Sequence, residues 1–213
     1  ISVMPELKEK IIVIENIFSP ESIRMQADKK DVFEEMPDDG SVKILSIGRF
    51  CKAKNFDNIP EICRRILDLG CNIKWYIIGY GADEDINIVK AKIDEYNVRN
   101  NVILLGKKLN PYPYIKACNI YIQPSRYEGK SVTVREAQVL CKPVIITNYS
   151  TAKSQLEDGI DGVIVPMDNE GCADKLAEII KDRMLQNKLI NNCQLRDYSN
   201  SKEIEKIYHL IGD

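Results

Sequence analysis

From residue 41 onward the chain alternates two patterns of apolar positions. Short runs that are apolar almost throughout, "VKILSIG" (42–48), "IKWYIIG" (73–79), "NVILLG" (101–106), "NIYIQP" (119–124), "KPVIIT" (142–147) and "GVIVP" (162–166), read as strands covered on both faces. Between and after them lie stretches with apolar residues three or four apart. Helices are expected over 58–70, where Gly70 supplies the stop, over 84–96, and over 170–182, 185–194 and 200–211. Six strand candidates separated by helical or loop segments predict an α/β fold, with a mostly parallel sheet and helices on both faces.

Residues 1–40 fit that repetition less well. "KIIVIEN" (10–16) reads as a strand, and "FSPESIRMQA" places Ser19 at an N-cap with Pro20 at the first helical position. This segment is too short for a second domain. The acidic "EEMPDDGS" (34–41) then reads as a linker into a main domain over 41–213.

One polar residue interrupts the apolar pattern. A helix beginning near Ser131 puts Glu136 on the stripe formed by Val132, Thr133, Val139 and Leu140, where a carboxylate must find hydrogen bonds or be strained by its desolvation. If the sheet is Rossmann-like and doubly wound in the order 3-2-1-4-5-6, the chain reverses between strands one and four, and ligands bind at the carboxyl ends of those strands. The two loops selected are charged: "GRFCKAKN" (48–55) carries Arg49, Lys52 and Lys54, and "PSRYEGKS" (124–131) carries Arg126, Glu128 and Lys130. Cations beside a helix N-terminus suit a phosphorylated ligand. Glu136 would then hold a ribose diol, with Glu128 toward the far end of the ligand; the alternative is that Glu136 pairs with an Arg or Lys in the core.

Composition narrows the partners. A formal charge of −2 gives no global attraction to nucleic acid, and no apolar run approaches a membrane span. Seven scattered cysteines with no C-x-x-C pair argue against a disulfide framework or a zinc site and fit a reducing cytoplasm. Weaker signals take structural readings. "GYGADED" lacks the third glycine of a dinucleotide motif, so Gly79 is expected to serve a tight turn near the ligand. "DED" (83–85) opens a helix, where acidic residues complement the dipole. His209, the single histidine, is expected at the surface, Cys51 to be inert, and Tyr112 and Tyr114 to sit in a loop, with packing as their main role.

"SIGRFCKAKN", "IIGYG", "LLGK", "ACNIYIQPSRYEGKSVTVREAQVLCKPVIIT" and "LEDGIDGVIVPMDN" together resemble the donor half of retaining glycosyltransferases of family four, group 1, which have the two-domain GT-B fold. The resemblance runs from about residue 40 to the end, and Ile11 to Ile23 resembles the stretch that closes the acceptor domain. It implies that Arg49 and Lys54, in the loop opened by Gly48, contact a donor diphosphate, that Glu128 meets the sugar hydroxyls, and that Glu136 meets the ribose. It also implies that backbone amides around Lys130, Ser131 and Val132 meet the phosphate, while Gly106 and Lys107 border the base. "EGKS" stands where many relatives have "EGFG". The implied function is hexose transfer from a nucleotide sugar, expected to be a UDP-sugar, to a saccharide or lipid-linked acceptor in surface polysaccharide synthesis. No metal or other cofactor is expected. The acceptor would be presented by an N-terminal domain mostly lacking in this chain, which alone would turn over little; the whole enzyme is expected in the cytoplasm, at the inner face of the membrane. An epimerase or phosphorylase of the same architecture, or a scaffold without chemistry, is the alternative.

Overall fold

The computed structural model describes residues 12, 14–200 and 202–211. Six parallel strands, β1 (Val42–Phe50), β2 (Ile73–Gly81), β3 (Val102–Gly106), β4 (Ile120–Gln123), β5 (Val144–Thr147) and β6 (Val163–Val165), form one sheet in the order β3-β2-β1-β4-β5-β6. This is the doubly wound order, with its reversal between β1 and β4.

The strands are apolar throughout because neighbouring residues enter different cores. Ile44, Trp75, Ile77 and Ile122 belong to one cluster; Leu45, Tyr76, Ile78 and Tyr121 belong to the other. The first cluster is covered by α2 (Ile59–Asp68), α3 (Asp83–Glu95), α7 (Asn169–Lys181) and α8 (Arg183–Leu195). Buried residues of α4 (Tyr112–Ala117), α5 (Val132–Val139) and α6 (Ala152–Gln155) join the second cluster. Two further helices are α1 (Pro20–Ala27), capped by Ser19 with Pro20 at its first position, and α9 (Lys202–Ile211), which carries an exposed His209. Gly70, at φ +80°, follows α2 as expected of a glycine stop. The acidic run at 83–85 occupies the first turn of α3.

Several expectations change. Residues 10, 11 and 13 of the proposed strand at 10–16 lie outside the described residues, and Ile12 and residues 14–16 have no regular secondary structure. Tyr112 and Tyr114 lie in α4 rather than in a loop; Pro113 is tolerated there because the first helical turn needs no backbone N–H donor. Strands β1 and β2 also run further than expected, pairing through Gly48 with Gly79 and Arg49 with Tyr80. Gly79 is therefore a strand residue and not a tight turn. A Cβ at position 79 would lie 2.0 Å from the Gly48 carbonyl oxygen, so the glycine permits close strand approach. The acidic segment 34–41 contains no helix or strand, but its Met36 is only 1% exposed and packs with Val32 in the second cluster.

Candidate functional site

The extension of β1 places Arg49 on the strand rather than in the following loop. Its side chain is exposed and makes no hydrogen bond or ion pair among the described residues. Arg49 is paired in register with Tyr80, which is 58% exposed and whose ring centroid lies 5.2 Å from Lys107 Nζ. Lys107 follows Gly106, which has φ +69° at the end of β3. A cation, an exposed aromatic ring and a second cation thus cross the carboxyl ends of three adjacent strands. Tyr80 gives no sequence signal of its own, because the glycines on either side of it carry the motif.

Beyond Phe50 the chain turns through a short 3-10 segment, Lys52–Lys54, closed by Asn55 in the left-handed region at φ 61°. Lys54 folds back toward the strand, and a Cβ on Gly48 would lie 3.1 Å from Lys54 Cε. The absent side chain leaves room for the lysine stem. The Lys54 ammonium donates to Glu128, forming an ion pair largely withdrawn from solvent. Glu128 also accepts from Ser125 Oγ at 2.7 Å, while its backbone carbonyl accepts from Thr151 Oγ1 at 2.7 Å. Lys54 and Glu128, separated by 74 positions, meet at the topological switch.

Glu136 is buried on α5, at 9% exposure, and burial raises its carboxyl pKa. The Tyr112 hydroxyl donates to its Oε1 at 2.9 Å and partly offsets that shift. No Arg or Lys pairs with it among the described residues, so the core ion-pair alternative finds no support. Glu136 Oε2 accepts no hydrogen bond there either. The buried Tyr121 phenol, whose pKa is raised chiefly by desolvation, also feels the charges of both Glu136 and Glu128. Tyr121 donates to Thr133 Oγ1 at 2.7 Å and so ties β4 to the start of α5.

Three other sequence candidates are engaged differently. The Ser131 amide donates to Gln155 Oε1 at 2.6 Å, and Gln155 Nε2 returns a bond to the Ser131 carbonyl at 3.3 Å. Val132, Thr133 and Val134 remain as the first-turn donors of α5 without an acceptor among the described residues. Lys130 pairs with Glu15. Arg126 engages Asp57 through both nitrogens, with each contact at 2.8 Å. Neither of these last two cations stands free toward the gap. Partner residues such as Tyr112, Asp57 and Gln155 carry no sequence motif; only the fold brings them to the site.

A family model described as glycosyl transferases group 1 matches residues 28–196. The chain belongs to this family. It is 31% identical over 155 residues to a Campylobacter jejuni N-acetylgalactosamine-N,N'-diacetylbacillosaminyl-diphospho-undecaprenol 4-alpha-N-acetylgalactosaminyltransferase, covering 72% of the chain and 41% of that protein. It is 24% identical over 211 residues to an Escherichia coli UDP-Gal:alpha-D-GlcNAc-diphosphoundecaprenol alpha-1,3-galactosyltransferase, covering 96% of the chain and 54% of that protein. The chain therefore spans about half or less of these relatives. Among solved structures, Anabaena HepE in complex with UDP aligns with TM-score 0.78 at 18% identity, over 94% of the chain and 57% of that structure. A Staphylococcus aureus TarM variant with Fondaparinux, alpha-GlcNAc-glycerol and UDP aligns with TM-score 0.80 at 20% identity, over 100% and 42%. These neighbours share the fold of the chain.

Proposed function

We propose that the chain is the donor-binding half of a retaining glycosyltransferase that moves a hexose from a UDP-sugar to a saccharide or lipid-linked acceptor in surface polysaccharide synthesis. In this reading residues 41–213 form the donor domain, and residues 1–40 belong to the acceptor side and the connection between the two. The observation that carries the reading is the meeting of Lys54 with Glu128 at the β1–β4 gap, with Glu136 buried on the adjoining helix. The relatives' names, which include transfer onto diphospho-undecaprenol acceptors, and the UDP bound to HepE and TarM support the substrate classes.

Sugar transfer leaves negative charge on the departing diphosphate. Arg49, Lys54 and the first-turn amides of α5 are positive groups gathered where that charge develops, and the scheme needs no metal or cofactor. On donor entry the diphosphate becomes the partner of Lys54, and Glu128 is released to the sugar hydroxyls. Glu136 Oε2 accepts from the ribose diol, Tyr80 and Lys107 border the base, and the acceptor domain closes the cleft against water. We place the complete enzyme in the cytoplasm, peripherally at the membrane face where lipid-linked acceptors are reached. Among the described residues no helix is long and apolar enough to cross a membrane.

A scaffold reading draws on the same Lys54–Glu128 ion pair, taken as structural. Calorimetry with UDP, GDP and ADP on the wild type and on Arg49→Ala separates the two. Arg49→Ala should weaken diphosphate binding about tenfold or more through loss of charged hydrogen bonds. Unchanged affinity in that variant, or no binding of any nucleotide by the wild type, would overturn the donor reading.

A further inference from the structure

Arg126 sits two residues before Glu128, and its hydrogen bonds converge on one segment of the facing loop. Nη1 and Nη2 reach Asp57 Oδ1 and Oδ2 at 2.8 Å each, Nη1 also donates to the Lys52 carbonyl at 2.7 Å, and the Arg126 amide donates to the Ala53 carbonyl at 2.8 Å. That segment, 52–57, carries Lys54. The side chains of Arg126 and Asp57 are 26% and 27% exposed, and Lys92 Nζ lies 4.0 Å from Asp57 as a second cation. A two-bond guanidinium–carboxylate fork fixes orientation as well as distance. Its position matters because residues 52–54 at the lysine end of the segment are not buried, with few bonds of their own, Lys54 N to Cys51 O at 3.0 Å among them, whereas Asn55 and Phe56 anchor the other end in the interior.

We infer that the Arg126–Asp57 fork is a clamp that positions Lys54 opposite Glu128 and thereby sets the width of the slot for the donor diphosphate. The two loops are joined by the fork, by the Arg126 bonds to the Lys52 and Ala53 carbonyls, and by the Lys54–Glu128 pair. Donor entry separates only the last of these joints. Arg126 is then the fixed post that keeps the lysine in place while Glu128 exchanges its partner for the sugar. Arg126 and Asp57 are positioning residues, acting through Lys54 without touching the ligand.

The inference rests on the donor reading, and its test keeps the two apart. UDP affinity is measured by calorimetry for the wild type, Asp57→Asn, Arg126→Lys, Lys54→Ala, and Lys54→Ala combined with each clamp variant. The clamp substitutions alone should weaken UDP binding about tenfold, yet add nothing once Lys54 is alanine. Exchanging the partners, Arg126→Asp with Asp57→Arg, should recover affinity relative to Arg126→Asp alone. A purely structural pair gives losses that add in the Lys54→Ala background, and that result overturns the clamp. So does wild-type affinity in both Asp57→Asn and Arg126→Lys. Should one of these variants fail to fold, the other supplies the same readout. A wild type that binds neither UDP, GDP nor ADP overturns the donor reading itself, and the clamp with it.

Discussion

Replacing Glu136 with Gln should make the ligand-free protein more stable and its nucleotide complex weaker. Glu136 is 9% exposed, and burial raises its carboxyl pKa, so ionising it inside the fold costs free energy that Tyr112 only partly returns. A carboxyl whose folded pKa is raised favours the fold when protonated. That contribution is present below its unfolded value of 4.5 and is lost as pH rises through the folded value. Glutamine has nearly the same shape and never ionises. The stability difference between Glu136→Gln and wild type should therefore vanish at low pH and grow in favour of the variant toward neutrality. Binding moves the other way. In the donor reading Glu136 accepts ribose hydroxyls, and bonds to a charged acceptor contribute about 1.5–3 kcal/mol each, roughly twice a neutral one. An amide oxygen in its place should lose about 1.5–3 kcal/mol over two hydroxyls, or roughly 10- to 150-fold in Kd. Thermal unfolding at several pH values, with and without UDP, reads both effects, because ligand stabilisation follows the logarithm of its concentration over Kd. Inorganic pyrophosphate is the control: it lacks ribose and should protect both proteins equally. Undiminished UDP protection of Glu136→Gln would refute the ribose assignment, and equal losses for UDP and pyrophosphate would show a general disturbance of the pocket.

Two further outcomes concern the frame around the site. Gly79→Ala would place a methyl 2.0 Å from the Gly48 carbonyl oxygen, forcing β1 and β2 apart; denaturant titration should show a loss of about 3 kcal/mol or more, whereas Gly129→Ala, with nothing within 4 Å, should stay within about 0.5 kcal/mol of wild type. Glu35 is held at about 2 by hydrogen bonds from Lys108, Lys30 and Tyr114, so its stabilisation is present above 4.5 and lost as pH falls toward 2. Glu35→Gln should flatten the acid limb of the stability profile in that window, and an unchanged slope would remove the pairing from the account.

The sheet was legible because its strands had to be apolar on both faces. Runs such as "IKWYIIG" leave no room for a solvent-facing side, and the alternation with helical periods leaves few topologies. Strand ends were less legible. Arg49 and Tyr80 read as loop residues because they are polar or semi-polar after a glycine, yet the Gly48–Gly79 pair allows β1 and β2 to stay in register for two more residues. The short helices α4 and α6 were missed because Pro113 and the polar "AKSQ" hide them. Glu136 was found because a carboxylate on an apolar stripe calls for an explanation. Its partner Tyr112, 24 positions earlier, gives no such signal, since a tyrosine can pack without using its hydroxyl.

Sequence counts charges; only the fold says which are already spoken for. Five cations lie in the two loops that meet at the gap, and the sequence offers all of them to a diphosphate. In the structure Arg126 belongs to Asp57, Lys130 to Glu15 and Lys54 to Glu128, while Lys52 and Arg49 have exposed side chains without an ion pair among the described residues. These three pairs differ in what a ligand can offer in exchange. A diphosphate gives Lys54 a stronger partner than one carboxylate, and a sugar gives Glu128 hydroxyl donors, so that pair separates without stranding either charge. No part of a nucleotide sugar offers Asp57 a second guanidinium, and breaking its fork would leave a partly buried carboxylate with Lys92 as its remaining cation. The same electrostatic rule that makes one ion pair exchangeable makes its neighbour a fixture, and the donor reading needs both.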